Sequence, residues 1–132
     1  MSVGVLVLAH APLGAALLGA ARHIIGNVPD QFGMVEFDHG PTAEATRARA
    51  GRSLRELDTG EGVLVLTDLF GATPSNIAAS LGDQGVEYRW LAGINLPMLL
   101  RVINYAELPL PELYAVAENG AHGGVVNDRA RP

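Results

Sequence analysis

The stretch VLVLAHAPLGAALLGAA, residues 5–21, changes its pattern abruptly at one residue. Up to Ala9 it is continuously apolar, as a strand covered on both faces should be. From Leu13 onward it is rich in Ala, Leu and Gly, and it runs on to Gly26, a plausible helix C-cap. The residue at the join is His10. A strand running straight into a helix is the first half of a βαβ unit. A polar, titratable side chain at the carboxyl end of such a strand stands where open α/β sheets bind their ligands.

The same switch of period recurs downstream. FGMVEF (32–37) predicts a second strand, and TAEATRARAGRSLREL (42–57) an amphipathic helix. GVLVLTDL (62–69) predicts a third, buried strand, and TPSNIAASL (73–81) a helix with Thr73 as N-cap and Pro74 at its first position. EYRWLAGI (87–94) reads as a fourth strand, and NLPMLLRVINYAEL (95–108) as a helix opened by Asn95 and Pro97. The last stretch, 110–126, reads as helix to Gly120 and extended beyond it, with 127–132 as an unstructured tail. This alternation predicts one α/β domain over residues 1–126, a doubly wound, mostly parallel sheet with helices on both faces.

Composition narrows the chemistry. Charged residues make up 17% of the 132, below the ~25% usual for soluble domains, so most elements should be covered on both sides. A net charge of −5 argues against nucleic acid as a partner. All nine basic residues are arginine, which excludes a P-loop lysine and Schiff-base chemistry. The chain has no cysteine, so disulfides, thiolate metal sites and thiol nucleophiles are excluded as well. The uncharged run 3–21 has no basic flank and is interrupted by His10 and Pro12, unlike a secretion signal or membrane span. The expectation is a cytoplasmic protein.

If strands one and three are neighbours across the switch point, His10 and Asp68 face each other in one crevice. Asp68 is followed by LFGATPSN, a small-residue turn into a helix whose first N–H groups are free to meet an anion. A carboxylate that accepts a hydrogen bond from the N–H of one imidazole nitrogen leaves the other with its lone pair, a nucleophile near neutral pH. His10 could thus take a phosphoryl group, its oxygens held by Gly71, Ala72, Thr73 and Ser75, without metal or cofactor. An alternative from another class is a small metal-binding or chelatase-like domain holding a divalent ion on His10 with Asp68 or His39. A phosphoacceptor receiver domain fits less well, since strand one ends in LAHA rather than an acidic pair, and lysine is absent. His23, His39 and His122 read as structural or solvated, Met98 as core, and Trp90 as a core or dimer-contact residue.

VLVLAHAPLGAALLGAA, GVLVLTDLFGATPSNIAA and LAGINLPMLLRVI, in this order and spacing over roughly residues 3–125, resemble the IIA component of the mannose-type sugar phosphotransferase system (PTS). The resemblance implies that His10 accepts a phosphoryl group from the histidine-containing phosphocarrier and passes it to a IIB component, or serves as a regulatory phosphoacceptor. It implies that Asp68 supports that histidine, and that Gly71 and Pro74 belong to the family's turn. It further implies a sheet of strand order 2-1-3-4, a homodimer with an exchanged C-terminal strand, here residues 121–126, and membrane association only through a permease. Ala11 stands where relatives often carry glycine, and Thr73 where they carry serine.

Overall fold

In a computed structural model, which describes residues 2–38, 40 and 42–130, β1 (Gly4–His10) lies between β2 (Phe32–Phe37) and β3 (Val63–Thr67). β4 (Tyr88–Ala92) pairs with β3, all strands run parallel, and the order is β2-β1-β3-β4. This is the doubly wound α/β sheet expected from the alternating periods. From β1 the chain winds one way through α1 (Leu13–Ile25), and from β3 the other way through α3 (Thr73–Ala79). The reversal opens a crevice between the carboxyl ends of β1 and β3.

The two central strands are apolar throughout because both of their faces are covered. Val5, Val7 and Ala9 of β1, with Leu64 and Leu66 of β3, pack against α1, α4 (Leu96–Asn104) and α5 (Leu110–Gly123). Leu6 and Leu8, with Val63 and Val65, pack on the opposite face against α2 (Ala43–Leu57) and α3. Each fully buried aliphatic side chain contributes ~1.5–3 kcal/mol from removal of its surface from water. That two-sided packing fixes the register, because a slip of one residue would exchange the two faces.

Close backbone approach helps to set where β1 begins. A Cβ built on Gly4 would lie 2.5 Å from the Leu57 carbonyl oxygen, so the C-terminus of α2 seats against the strand only because residue 4 is glycine. At the other end of the unit, Thr42 caps α2 by accepting the Ala45 N–H, and Asn95 caps α4 by accepting the Met98 N–H.

Four boundaries differ from the sequence expectation. Ala72, not Thr73, is the N-cap of α3; Thr73 and Pro74 are its first two helical residues, so the Thr73 side chain makes no cap. A 3-10 turn at Leu81–Gln84 follows α3, held by the Arg47 guanidinium, which donates to both Asp83 carboxylate oxygens and to Ser80 O. α4 ends at Asn104 rather than at 108, where the chain turns by the Leu108 N–H donating to Tyr105 O. α5 continues through Gly120 to Gly123, because Gly120 is packed against Arg101 and Met98 and has no room for the side chain another residue would bring. His122 therefore lies on a helix, and the extended segment expected over 121–126 loses its first three residues to α5.

Candidate functional site

His10 is the last residue of β1, and Asp68 is the first residue beyond β3. The β1–β3 ladder pairs Leu8 with Thr67, which brings the two strand ends side by side at the switch point. There the Asp68 Oδ2 accepts the His10 backbone N–H at 3.0 Å and lies 2.7 Å from the His10 Nδ1. Asp68 Oδ1 accepts the Leu69 N–H at 3.1 Å. The Asp68 side chain is 7% exposed and that of His10 42%, so the carboxylate is sunk in the crevice while the ring reaches its surface.

The electrostatics settle the proton between them. Burial alone would push the Asp68 carboxyl up, but the hydrogen bonds from the His10 backbone N–H and ring outweigh it and hold the carboxyl below its ordinary value. An ionised carboxylate has no proton to give, so Nδ1 must be the donor and the lone pair of the neutral ring resides on Nε2. Phe37, paired in register with His10 across β1 and β2, meets the imidazole edge-to-face, with centroids 6.1 Å apart and planes at 73°. Asp68 thus fixes one nitrogen, and Phe37 packs edge-on beside the ring.

The turn after Asp68 is bound to itself. Gly71 N–H donates to Ser75 Oγ at 3.1 Å, Ser75 Oγ donates to Leu69 O at 3.0 Å, and Ala72 N–H donates to Leu69 O at 3.2 Å. Gly71 holds φ +87°, where a β-carbon would be strained. Of the four residues expected to hold a phosphoryl group, Gly71 and Ala72 therefore have their N–H groups committed, and the buried Ser75 hydroxyl is a brace of the turn. The first N–H of α3 to close a helical bond is that of Asn76, to Ala72 O. Among the described residues, the N–H groups of Phe70, Thr73 and Ser75 and the half-exposed Thr73 hydroxyl are the donors this turn leaves open.

Several residues stand apart from this site. His23 is exposed on α1, and His122 is exposed on α5. Met98 is buried in the core, and Trp90 is half-buried on β4. Among the described residues no group of three or more His, Asp or Glu side chains is placed to hold a metal ion, and His39 lies outside the described residues. Among the same residues no helix is long and apolar enough to cross a membrane. Sequence reasoning missed Phe37, whose contact with His10 follows from the register of β1 against β2, and the exposure of Leu69 and Phe70 beside Asp68.

Comparison with known proteins agrees with this architecture. The chain is 29% identical, over its whole length, to the PTS system mannose-specific EIIAB component of Escherichia coli strain K12, of which it spans 41%. It is 30% identical over 105 residues to the PTS system fructose-specific EIIA component of Bacillus subtilis strain 168, covering 80% of this chain and 71% of that protein. The crystal structure of the PTS IIA protein associated with the fucose utilization operon of Streptococcus pneumoniae superposes with a TM-score of 0.82 at 25% identity, covering 96% of each chain. The family model described as PTS system fructose IIA component matches residues 4–118, which take in both His10 and Asp68: the chain belongs to that family.

Proposed function

We propose that this chain is a phosphoryl carrier of a phosphoenolpyruvate-dependent sugar phosphotransferase system, with the Nε2 of His10 as the phosphoryl acceptor. The observation that carries the reading is the His10–Asp68 pair at the switch point, with Nδ1 tied to a buried carboxylate and the ring edge open to solvent. In the forward step the Nε2 lone pair attacks the phosphorus of the phosphocarrier's phosphohistidine. The P–N bond to the donor ring breaks as the P–Nε2 bond forms, and the donor nitrogen leaves with the electron pair. No proton has to move, since Nδ1–H stays on His10. The positive charge that develops on the ring is met by the Asp68 carboxylate, and the phosphoryl oxygens by the Thr73 hydroxyl and the open N–H groups of Thr73 and Ser75. Reversal of the same step onto a IIB component, or retention of the group as a regulatory mark, completes the cycle. The metal-binding reading has no comparable support.

The homodimer belongs to this proposal. β4 is an edge strand, flanked by a groove of about 640 Å³ lined by Phe70, Tyr88, Trp90 and Tyr114, and Val125 and Val126 beyond α5 are largely exposed. A β-branched segment from a second copy, beginning after Gly123, would fill such an edge. Sedimentation at micromolar concentration should give a dimer; a monomer would contradict it.

The function is tested by mixing the chain with phosphoenolpyruvate, the general phosphotransferase enzyme and the phosphocarrier. An acid-labile, base-stable phosphoryl adduct that disappears in His10→Ala is expected. An adduct that persists in that variant contradicts the proposal. Thermal stabilisation by divalent ions without any labelling would favour the metal-binding class instead.

A further inference from the structure

We infer that Glu36 is a positioning residue for His10, its carboxylate clasping the first turn of α1 so that the imidazole is delivered to Asp68; this rests on the phosphoryl-carrier reading above. α1 begins three residues after His10 and has no cap of its own. Pro12, at its N-cap, makes no side-chain bond, and its first turn holds no acidic residue. The free N–H groups of a helix start need an acceptor, and here it comes from another element. Half-buried Glu36, on β2, accepts the Ala15 N–H on its Oε2 at 2.9 Å. A local cap ties a helix to its own preceding residues. A cap from a strand fixes where the helix starts on the sheet.

Glu36 is itself held from three sides. In the β1–β2 ladder it pairs with Ala9, its carbonyl oxygen accepts from the Arg49 guanidinium of α2 at 2.9 Å, and its carboxylate lies against Gly14. A Cβ on Gly14 would come within 3.3 Å of Oε2, so glycine leaves the carboxylate its seat. The next residue, Phe37, pairs with His10 and accepts the Ala11 N–H at 2.8 Å. The segment that leaves His10 is therefore tied to β2 at both ends, Ala11 to the Phe37 carbonyl and Ala15 to the Glu36 carboxylate.

β1 lies between β2 and β3, so the end of β1 is held from the β2 side by Glu36 and Phe37, while the His10 ring meets Asp68 beyond β3. If α1 loses its tie to β2, the backbone at His10 is free to shift, and Nδ1 leaves the 2.7 Å contact that keeps Nε2 as the acceptor. Misplacing a reacting group by about 1 Å can cost up to about a hundredfold in rate. Glu36 also sets a negative charge at the positive end of α1. Bond and charge are separable, because Glu36→Gln keeps an acceptor oxygen and removes the charge.

The test compares Glu36→Ala and Glu36→Gln with the parent, using the full chain and two donors. One donor is the phosphocarrier, charged from phosphoenolpyruvate. The other is phosphoramidate, a zwitterion whose P–N bond breaks as the P–Nε2 bond forms, with neutral ammonia leaving. Labelling rates are read beside the ring N–H resonance of His10 in the ¹H–¹⁵N spectrum. Glu36→Ala should slow labelling by both donors about tenfold, leave KM for the phosphocarrier unchanged, and shift or broaden the Nδ1–H signal. Glu36→Gln should bring both rates back to within about twofold of the parent, with the Nδ1–H signal restored. Parent rates in Glu36→Ala overturn the positioning role and leave the carrier reading standing. A loss confined to the phosphocarrier also overturns it, since Glu36 would then serve the encounter between proteins. The same holds if Glu36→Gln is as slow as Glu36→Ala, where charge and not the bond would matter, or if a slow variant keeps the parent's Nδ1–H signal. Unfolding of Glu36→Ala at the assay temperature would make Glu36 a residue of the fold alone and overturn the role too. Failure of either donor to label His10 in the parent overturns the carrier reading and this inference together.

Discussion

Asp68 Oδ2 receives two hydrogen bonds from the same residue, one from the His10 backbone N–H and one from the His10 ring Nδ1. The first ties the end of β1 to the loop beyond β3, so it belongs to the fold. The second sets which ring nitrogen is free, so it belongs to the chemistry. One oxygen atom couples them: the imidazole cannot turn over without breaking its bond to the same atom that receives the backbone N–H at the end of β1.

Asp68→Asn separates the two roles. An amide can keep one contact, but it carries no charge to stabilise a positive ring, and if its NH2 faces Nδ1 it reverses the tautomer. Phosphoryl transfer to His10 should slow by about tenfold to hundredfold, with the far-ultraviolet circular dichroism unchanged. A rate equal to the parent's would reduce Asp68 to a residue of the turn.

The same pair makes stability depend on acid. The Asp68 carboxyl is held below its ordinary value in the fold, so its contribution is complete above about pH 5 and is lost as pH falls through the lowered value of the folded state. Stability measured by denaturant titration should therefore decline on the acid side. In Asp68→Asn that decline should be shallower. Identical acid limbs in the two proteins would count against an ionised, hydrogen-bonded Asp68.

Ser75 and Thr73 should fail in different ways. Ser75 is 1% exposed, and its hydroxyl joins Gly71 N–H to Leu69 O. Ser75→Ala leaves that N–H without its acceptor and should cost about 1–3 kcal/mol of stability. Thr73 makes no cap bond, so Thr73→Val should leave the melting temperature within a few degrees of the parent while slowing transfer. The reverse pattern would place Thr73 in the turn and Ser75 at the phosphoryl group.

Gly4→Ala probes the packing that positions β1. The added methyl would meet Leu57 O at 2.5 Å and Leu57 Cβ at 2.8 Å, backbone-anchored atoms that cannot step aside. A loss of about 1–3 kcal/mol is expected from the forced shift of α2. A neutral result would show that the C-terminus of α2 is not seated against the strand.

Much of this was legible in the chain because it rests on local pattern. The continuous apolar runs of β1 and β3 read as doubly covered parallel strands, and once these two are neighbours, as the sheet order makes them, His10 meets Asp68 at their carboxyl ends. What escaped depends on pairing between distant residues. Phe37 meets His10 only through the β1–β2 register, and the Arg47–Asp83 clamp joins residues that no periodicity relates. The turn after Asp68 reads in sequence as small and donor-rich, but the Ser75 hydroxyl consumes one of its N–H groups, which composition does not reveal. α5 ran past its expected end because glycine, usually a stop, is required at position 120 by close packing on α4.

The most direct measurement is the point of attachment of the phosphoryl group, read from ³¹P–¹⁵N and ¹H–¹⁵N spectra of the labelled chain. With Nδ1 held by Asp68, phosphorus must appear on Nε2 of His10, with Nδ1 still protonated. Attachment at Nδ1, or on any residue other than His10, would contradict the account.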